Sequence, residues 1–277
     1  MSIIHHRETG TALGDVFPGA DLPRAVLAYA NLEGADVRGA NLRHADLCNA
    51  DLRGARFDRA TLTGADATLS DSAGAFFSHA MLDDARLQGM NKRHPGVVGI
   101  DFSGADMTRA TLKNSNLNGA RFTNAILRRT DLSRCNLSGA DLSGADLTDA
   151  SLANANLSGA TLRYASLVGT LLSGANLEDA VLVGADLTLA ALNGVRLAGA
   201  DVSDTLWSKT VVARASGLHD TRGLDRLRLG DPSSIDVHTL RASIGVLPAY
   251  LLEHVGIASS DIDAIRDMLL RENSDQR

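Results

Sequence analysis

The chain has few cysteines, few aromatic side chains and no long apolar run. Only 2 of its 277 residues are cysteine, and aromatic residues make up 4%. No stretch approaches the about 18 consecutive apolar residues that indicate a membrane-spanning helix, and the N-terminal residues do not resemble a signal peptide. We therefore expect a cytoplasmic protein that does not associate with membranes. Because hydrophobic residues still make up 44% of the sequence, its core must be largely aliphatic.

Motifs for catalysis, metals and cofactors are also missing. The 8 histidines are scattered, and no HxxxH, CxxC or HExxH spacing occurs. The glycines recur at five-residue intervals, as turn residues do, instead of forming a phosphate-binding loop. We expect a non-enzymatic protein without metal or cofactor. The formal net charge of −6 disfavours direct binding to nucleic acid.

What is present is a repeat of five residues. Among the positions numbered 17, 22, 27 and so on to 212, only Ala67, Ser72 and Lys92 are not large apolar residues. A period of five would scatter these side chains around an α-helix and would send them to alternate faces of a strand. The chain must therefore turn a corner within each pentad. In the run 140–144, Ala-Asp-Leu-Ser-Gly, we expect Ala and Leu to point inward, Asp and Ser to point outward, and Gly to form the turn.

At these residues the chain resembles the pentapeptide-repeat family, whose pattern is A-(D/N)-L-x-x. The resemblance implies an all-β solenoid, a right-handed quadrilateral β-helix with four pentads per coil. About ten coils stacked at about 4.8 Å would form a rod about 48 Å long. Cys48 and Cys135 would then lie about 20 Å apart, too far for a disulfide.

We predict three regions. Residues 1–16 form an N-terminal cap over the open edge of the first coil. Residues 17–212 form the β-helix, and residues 213–277 contain a charged connector and a helical C-terminal segment. Helices are expected near 234–241 and 248–254, with Ser260 as the N-cap of a third at 261–271.

The apolar side of this helical segment has two interpretations. It forms a small α-helical cap over the last coil, or it mediates self-association as a homodimer. The residues concerned are Leu240, Leu251, Leu252, Ile262, Ile265, Met268 and Leu269. The segment from Pro232 also resembles one that follows the repeats in certain bacterial pentapeptide proteins with a C-terminal TIR-type domain. The sequence stops where that domain would begin, so we expect no TIR activity.

The repeat is interrupted near 88–100, where Lys92 and Pro95 occupy inward positions. Two distorted pentads, a functional loop and a connection between two subarrays all fit this segment. Its polar run Asn91, Lys92, Arg93 and His94 differs from the surrounding surface and supplies candidate partner contacts.

Residues 20 apart should stack on the same side of a four-sided coil. This spacing predicts an acidic column in the slot before the leucine, containing Asp46, Asp66, Asp106, Asp146 and Asp186. On the opposite side it predicts a ladder of asparagines, Asn116, Asn136, Asn156 and Asn176, whose amides hydrogen-bond between coils.

The repeat specifies a scaffold and says little about function. We expect a non-catalytic scaffold for protein–protein interaction. One alternative comes from the family resemblance: some members mimic DNA, bind type II topoisomerases such as gyrase and topoisomerase IV, and protect them from quinolones. This reading requires a continuous acidic surface, which the many arginines interrupt. A second alternative is a signalling adaptor that acts through the C-terminal helices.

Overall fold

The repeat region is a β-helix. The computed structural model describes residues 2–6, 12–91, 99–243, 245 and 247–267. Parallel bridges join residues 20 apart, for example Asp21 to Asn41 and Asn41 to Thr61. Since successive bridges along the chain are five residues apart, four pentads complete one turn.

Each pentad turns in the way its residue types require. Ala140 and Leu142 are buried, and the Leu142 N–H donates a 2.7 Å hydrogen bond to the Thr161 carbonyl in the next coil. Gly144 has a φ of +66°, in the left-handed region that glycine adopts most readily. The side chain of the leucine therefore fills the interior while the glycine turns the corner.

The bridged residues define four faces of the rod. Face 1 carries Asp21, Asn41, Thr61, Met81, Asp106, Ile126, Asp146, Ser166, Asp186 and Leu206. Face 2 carries Val26, Asp46, Asp66, Arg86, Thr111, Asp131, Ser151, Leu171, Ala191 and Val211. Face 3 carries Asn31, Asp51 and Asp71, and later Asn116, Asn136, Asn156, Asn176, Arg196 and Ser216. Face 4 carries Asp36, Arg56, Phe76, Asp101, Arg121, Asp141, Thr161, Val181, Asp201 and Arg222.

One coil contains five extra residues. Phe76 pairs with Asp101 and Met81 with Asp106, an offset of 25 instead of 20. The Asn91 N–H still bonds to the Ser70 carbonyl at 3.0 Å, so the chain keeps its usual register as far as Asn91. The additional pentad lies between Asn91 and Asp101, which includes residues outside the described ranges.

A column of four phenylalanines runs through the interior. Phe57, Phe77, Phe102 and Phe122 come from successive coils and are buried. Their neighbouring ring centroids are 4.8, 5.1 and 5.1 Å apart. This separation is close to the rise between coils, so the stacking of the rings follows from the stacking of the backbone.

An antiparallel hairpin lies at the N-terminal edge. It consists of β1 (Ser2–His6) and β2 (Ala12–Val16). On its other side, β1 pairs with β3 (Ala30–Asn31), which belongs to the first turns of the coil. The edge that would otherwise be open to strand addition is therefore paired at β3.

The coil continues beyond Val212, so the predicted connector is wrong as a description of 213–231. The strands here are β4 (Ala191–Asn193), β5 (Leu206–Trp207), β6 (Val211–Ala213), β7 (Arg228–Leu229) and β8 (Ser234–Ile235). β4, β6 and β8 form one parallel sheet, and β5 pairs with β7. Along the chain, the bridged positions in this last turn are Ser216, Arg222, Arg228 and Ser234. The step is thus six residues, with 3₁₀ turns at Leu218–Asp220 and Leu224–Arg226.

Helices follow the last turn. They are α1 (Val237–Ser243) and α2 (Ala249–His254), then a 3₁₀ turn at Ser259–Asp261 and helical residues 262–267. Ser260, the predicted N-cap, lies inside this 3₁₀ turn, whose N-cap position is Ala258, and its hydroxyl donates to Asp261 Oδ1 at 2.9 Å.

The apolar side of these helices packs on the rod. Leu251, Leu252 and Ile262 are buried, while Leu240 and Ile265 pack against the core half-buried. Polar contacts support the packing. The Tyr250 hydroxyl donates to the Leu224 carbonyl at 2.5 Å and accepts from the Leu227 N–H at 3.1 Å. The Thr239 hydroxyl oxygen accepts from the Ala215 N–H at 3.1 Å. The predicted self-association role is therefore corrected for Leu251, Leu252 and Ile262, which are already enclosed within one chain. Met268 and Leu269 lie outside the described residues.

Candidate interaction surface

The predicted acidic column is divided between two faces. Asp46 and Asp66 lie on face 2, where Arg86 and Thr111 follow them. Asp106, Asp146 and Asp186 lie on face 1, in line with Met81. The prediction of one column was wrong because the additional pentad shifts the stacking by one side while leaving the five-residue phase intact.

These aspartates also hold their own turns. Oδ1 of Asp146 accepts hydrogen bonds from the Thr148 N–H at 3.1 Å and its hydroxyl at 2.6 Å, and Oδ2 pairs with Arg128 Nε at 2.5 Å. Burial acts to raise the pKa of Asp146, but the hydrogen bonds from Thr148 and Arg128 outweigh burial and the pKa is lowered. Asp106 and Asp186 make the same contacts with Thr108 and Thr188. Their carboxylates are therefore partly committed to the scaffold.

Arginines form ion pairs with acidic side chains along the rod. Arg53 contacts Asp51 at 2.6 Å on its own side and Glu33 at 2.9 Å in the neighbouring coil. Arg109 contacts Asp84 twice, at 2.7 Å each. The sequence from 17 to 212 contains 21 acidic and 18 basic residues, a net charge of −3. The surface is of mixed sign, without the continuous acidic face that mimicry of DNA requires.

The asparagine ladder is confirmed. Asn136 Nδ2 donates to Asn116 Oδ1 at 3.1 Å, and the two following steps, through Asn156 and Asn176, measure 3.3 Å each. Oδ1 of Asn136 also accepts the Ser138 N–H at 3.2 Å. These amides link coils and brace turns, which is a structural role.

Asn91 was a predicted surface contact, and the structure corrects this. It is 2% exposed, and its Oδ1 accepts the Ser72 N–H at 2.6 Å. The Asn91 side chain therefore satisfies a backbone N–H inside the coil, at Ser72, where most coils have a leucine. Lys92, Arg93 and His94 lie outside the described residues, and their contact role stays a prediction.

An exposed apolar stripe lies on face 2 near the C-terminal end of the rod. Leu171 pairs in parallel with Ala191, and Ala191 with Val211. Leu171 is 51% and Val211 41% exposed, and Leu189, two residues before Ala191, is 56% exposed. These four residues define the apolar stripe. They occupy outward positions where the repeat usually has polar residues. Comparing residues 20 apart in the sequence would have identified Leu171, Ala191 and Val211 as stacked neighbours.

The surface beside Leu171 and Ala191 is flat, and charged side chains lie at its C-terminal end, where exposed Lys209 pairs with Asp231 at 3.0 Å. The corners after Leu171 and Ala191 are Gly174 and Gly194, and an added Cβ at Gly194 would meet only the Gly174 backbone nitrogen, at 3.9 Å. Arg214 stands at the corner after Val211. It is exposed and has no ion pair within the described part of the chain.

The cysteines offer no reactive thiol. Burial, with neighbouring Asp66 and Asp46, raises the pKa of Cys48 to about 12. Burial likewise raises the pKa of Cys135 to about 12. A thiolate is the nucleophilic form, so neither side chain is activated.

Within the described ranges, no group of three or more His, Cys, Asp or Glu side chains could hold a metal ion, and no helix combines the length and apolar character needed to cross a bilayer.

The family model described as pentapeptide repeats matches the chain in 8 copies, over residues 16–43, 40–71, 100–139, 140–179 and 170–206. The chain belongs to the pentapeptide-repeat family. The matches omit 72–99, which contains the additional pentad, and the six-residue steps after 206. No curated protein matches this pentapeptide-repeat chain.

Solved pentapeptide-repeat structures resemble it. HetL, involved in heterocyst differentiation regulation in the cyanobacterium Nostoc sp. strain PCC 7120, is 31% identical over 74% of this chain and 88% of its own, with a TM-score of 0.46. Full-length QnrB1, a plasmid-mediated fluoroquinolone resistance protein, is 16% identical over 82% of this chain and 97% of its own, with a TM-score of 0.36. Neither overlap is close enough to carry a functional argument.

Proposed function

We propose that this protein is a non-catalytic interaction scaffold whose apolar stripe binds an amphipathic α-helix of a protein partner. The observation that carries the proposal is the exposure of Leu171, Leu189 and Val211 in outward positions. The outward positions of the rod carry mostly charged and polar side chains, and exposed apolar side chains that lie together on such a surface mark interaction sites.

The spacing of the stripe favours a helix that runs along the rod. Leu171 and Val211 are two coils apart, or about 10 Å at the rise between strands. Side chains at i and i+7 of an α-helix are about 10.5 Å apart, with i+4 between them on the same face. Ala191, which is small, leaves room for the side chain at i+4.

The charge beside the apolar stripe and the size of the stripe further limit the kind of partner. Arg214 at the end of the stripe favours a partner helix with an acidic residue beyond its apolar side. A stable dimer interface needs roughly 20–30 residues from each partner, whereas the stripe offers four. This difference favours a helical segment over a second copy of the chain.

Mimicry of DNA has less support. The acids of faces 1 and 2 are interleaved with Arg86, Ile126 and Ser166, and arginines pair with them across coils. The adaptor reading through the C-terminal helices also loses support, since Leu251 and Leu252 are buried.

Peptide display can test the proposal. Helical segments from the source organism would be selected on the full chain and their affinities measured for wild type and for the variant Leu171→Ser with Val211→Ser. The matched control is Val26→Ser, a 73% exposed residue at the other end of face 2. We expect apolar i, i+4, i+7 segments whose affinity falls at least about ten-fold in the double variant, because each large apolar side chain contributes about 1.5–3 kcal/mol when buried.

Two results would overturn the proposal. Selected segments could bind the double variant as tightly as wild type. Sedimentation could instead show a dimer that the double variant abolishes, in which case a second copy covers the stripe.

A further inference from the structure

A groove lies along the corner between faces 4 and 1, near the N-terminal end of the rod and away from the apolar stripe. Its volume is about 510 Å³, and its lining includes Arg38, Arg56, Asp58, Arg59, Ser78 and His79. We propose that this groove binds a small organic phosphate monoester, with Arg59, Ser78 and His79 as its principal contacts. This site is independent of the proposed scaffold function.

The stacking of the coils assembles the groove. Gly39, Arg59 and His79 occupy the same corner in three successive turns, and all three have positive φ, 65°, 58° and 57°. The absence of a side chain at Gly39 leaves an opening beneath Arg59. Ser78 precedes His79 and faces the same opening.

The three arginines of the groove differ in their availability. Arg38 is held by Asp36 through two hydrogen bonds, 2.8 and 2.6 Å long. Arg56 Nε lies 3.4 Å from Asp58 Oδ2, which neutralises part of its charge. Arg59 is exposed and has no ion pair or side-chain hydrogen bond within the described residues. Against the charges of Asp36 and of Asp58, which itself lines the groove, the three arginines leave a formal charge of +1, which falls on Arg59.

His79 is positioned by the next coil. Its ring packs over Gly104, where an added Cβ would lie 2.5 Å from Nδ1. Any side chain at Gly104 would displace the imidazole. The glycine therefore leaves room for the imidazole, since His79 lines the edge of the groove and its ring extends along the rod towards the next coil.

The donors and the volume indicate the class of ligand. A guanidinium, a hydroxyl and an imidazole offer more donors than the two oxygens of a carboxylate need, and they match the three terminal oxygens of a phosphate monoester. The groove falls within the range of about 300–1,000 Å³ typical of small-molecule sites. Inorganic phosphate alone would leave most of it empty, so the ligand should carry an organic group.

A titration of the full chain with phenyl phosphate, followed through backbone amide resonances, tests the inference. We expect saturable shifts at Gly39, Ser78 and His79. Benzoate, which carries the same ring on a carboxylate, and inorganic phosphate should both bind more weakly. Arg59→Gln should weaken phenyl phosphate binding about ten-fold or more, because it removes a charge-assisted hydrogen bond.

Matched controls come from other corners. Arg134 is also an exposed arginine at positive φ, and His44 covers Gly64 as His79 covers Gly104. Arg134→Gln and His44→Gln should leave binding unchanged, whereas His79→Gln should weaken it. The inference is overturned if no shift saturates, if benzoate or inorganic phosphate binds as well as phenyl phosphate, or if Arg59→Gln and His79→Gln both bind like wild type.

Discussion

The rings of Phe57 and Phe77 stack face to face, with centroids 4.8 Å and planes 5° apart. They are separated by 20 residues in sequence and by one coil in space. The column continues through Phe102 and Phe122, so interior aromatic contacts join the coils on both sides of the additional pentad.

Phe102, like Phe77, contacts a ring above and a ring below, so its removal should disturb the column more than removal of a ring at either end. We expect Phe102→Ala to lower the free energy of unfolding by about 3–5 kcal/mol, through lost burial and an unfilled cavity. Urea unfolding measures the change. Phe76→Ala, at an exposed ring, should cost much less. Equal costs for the two variants would contradict an interior column.

The asparagine ladder should stabilise the rod. Asn136 bonds to a neighbour in each direction, so Asn136→Ala removes two links between coils, together with the bond from the Ser138 N–H. We expect a loss of about 1–3 kcal/mol in the free energy of unfolding. Asn193→Ala, at an exposed outward position, should change it by less than about 0.5 kcal/mol. A loss no larger at Asn136 than at Asn193 would show that the ladder does not contribute.

The six-residue turn brings backbones closer together than the pentads do. At Gly217, with φ +79°, an added Cβ would lie 2.4 Å from the Ala198 backbone nitrogen. At Gly139, with φ +64°, nothing lies within 4 Å. Gly139→Ala should therefore cost only about 1 kcal/mol in conformational strain. Gly217→Ala should cost about 1–3 kcal/mol more because of the steric clash. Thermal or urea unfolding compares the two, and similar losses would argue against a close-packed turn at 216–235.

Acid should weaken the rod through its turn aspartates. The pKa of Asp146 is lowered in the folded state, so its contribution is fully present above the unfolded pKa, near 3.9. The contribution disappears as the pH falls through the lower folded pKa. Asp146→Asn should therefore destabilise the protein at about pH 7 and matter progressively less below about pH 4. Urea unfolding of both proteins across this pH range measures the difference in their free energies of unfolding. A difference that grows as the pH falls would contradict the lowered pKa of Asp146.

The sequence predicts the fold because one chemical pattern repeats without interruption over most of the chain. Inward Leu and Ala, outward Asp or Asn and a corner Gly specify each side, and stacking specifies the asparagine ladder. The additional pentad could not be recognised in this way. An insertion of five residues preserves the period, yet it moves Asp106 from beside Arg86 to beside Met81.

The sequence also contains signals that an analysis based only on the period of five misses. Gly217-Leu218 and Gly223-Leu224 are six residues apart, which matches the step of the last turn. The groove depends on which arginines remain after ion pairing. Arg38 stands two residues after its partner Asp36, whereas Arg59 stands at a corner with φ 58°, and atomic distances are needed to show which of the two is paired.

Disulfide trapping tests the stacking register most directly, because every surface described above depends on it. Two variants would be made in a background without Cys48 and Cys135. In one, Met81 and Asp106 are both replaced by cysteine, and in the other, Arg86 and Asp106 are both replaced by cysteine. Parallel neighbours are about 4.8 Å apart, within the Cα separation that a disulfide allows. The pair at 81 and 106 should form a disulfide on mild oxidation and the pair at 86 and 106 should not. A disulfide only in the second pair would contradict the register and the faces built on it.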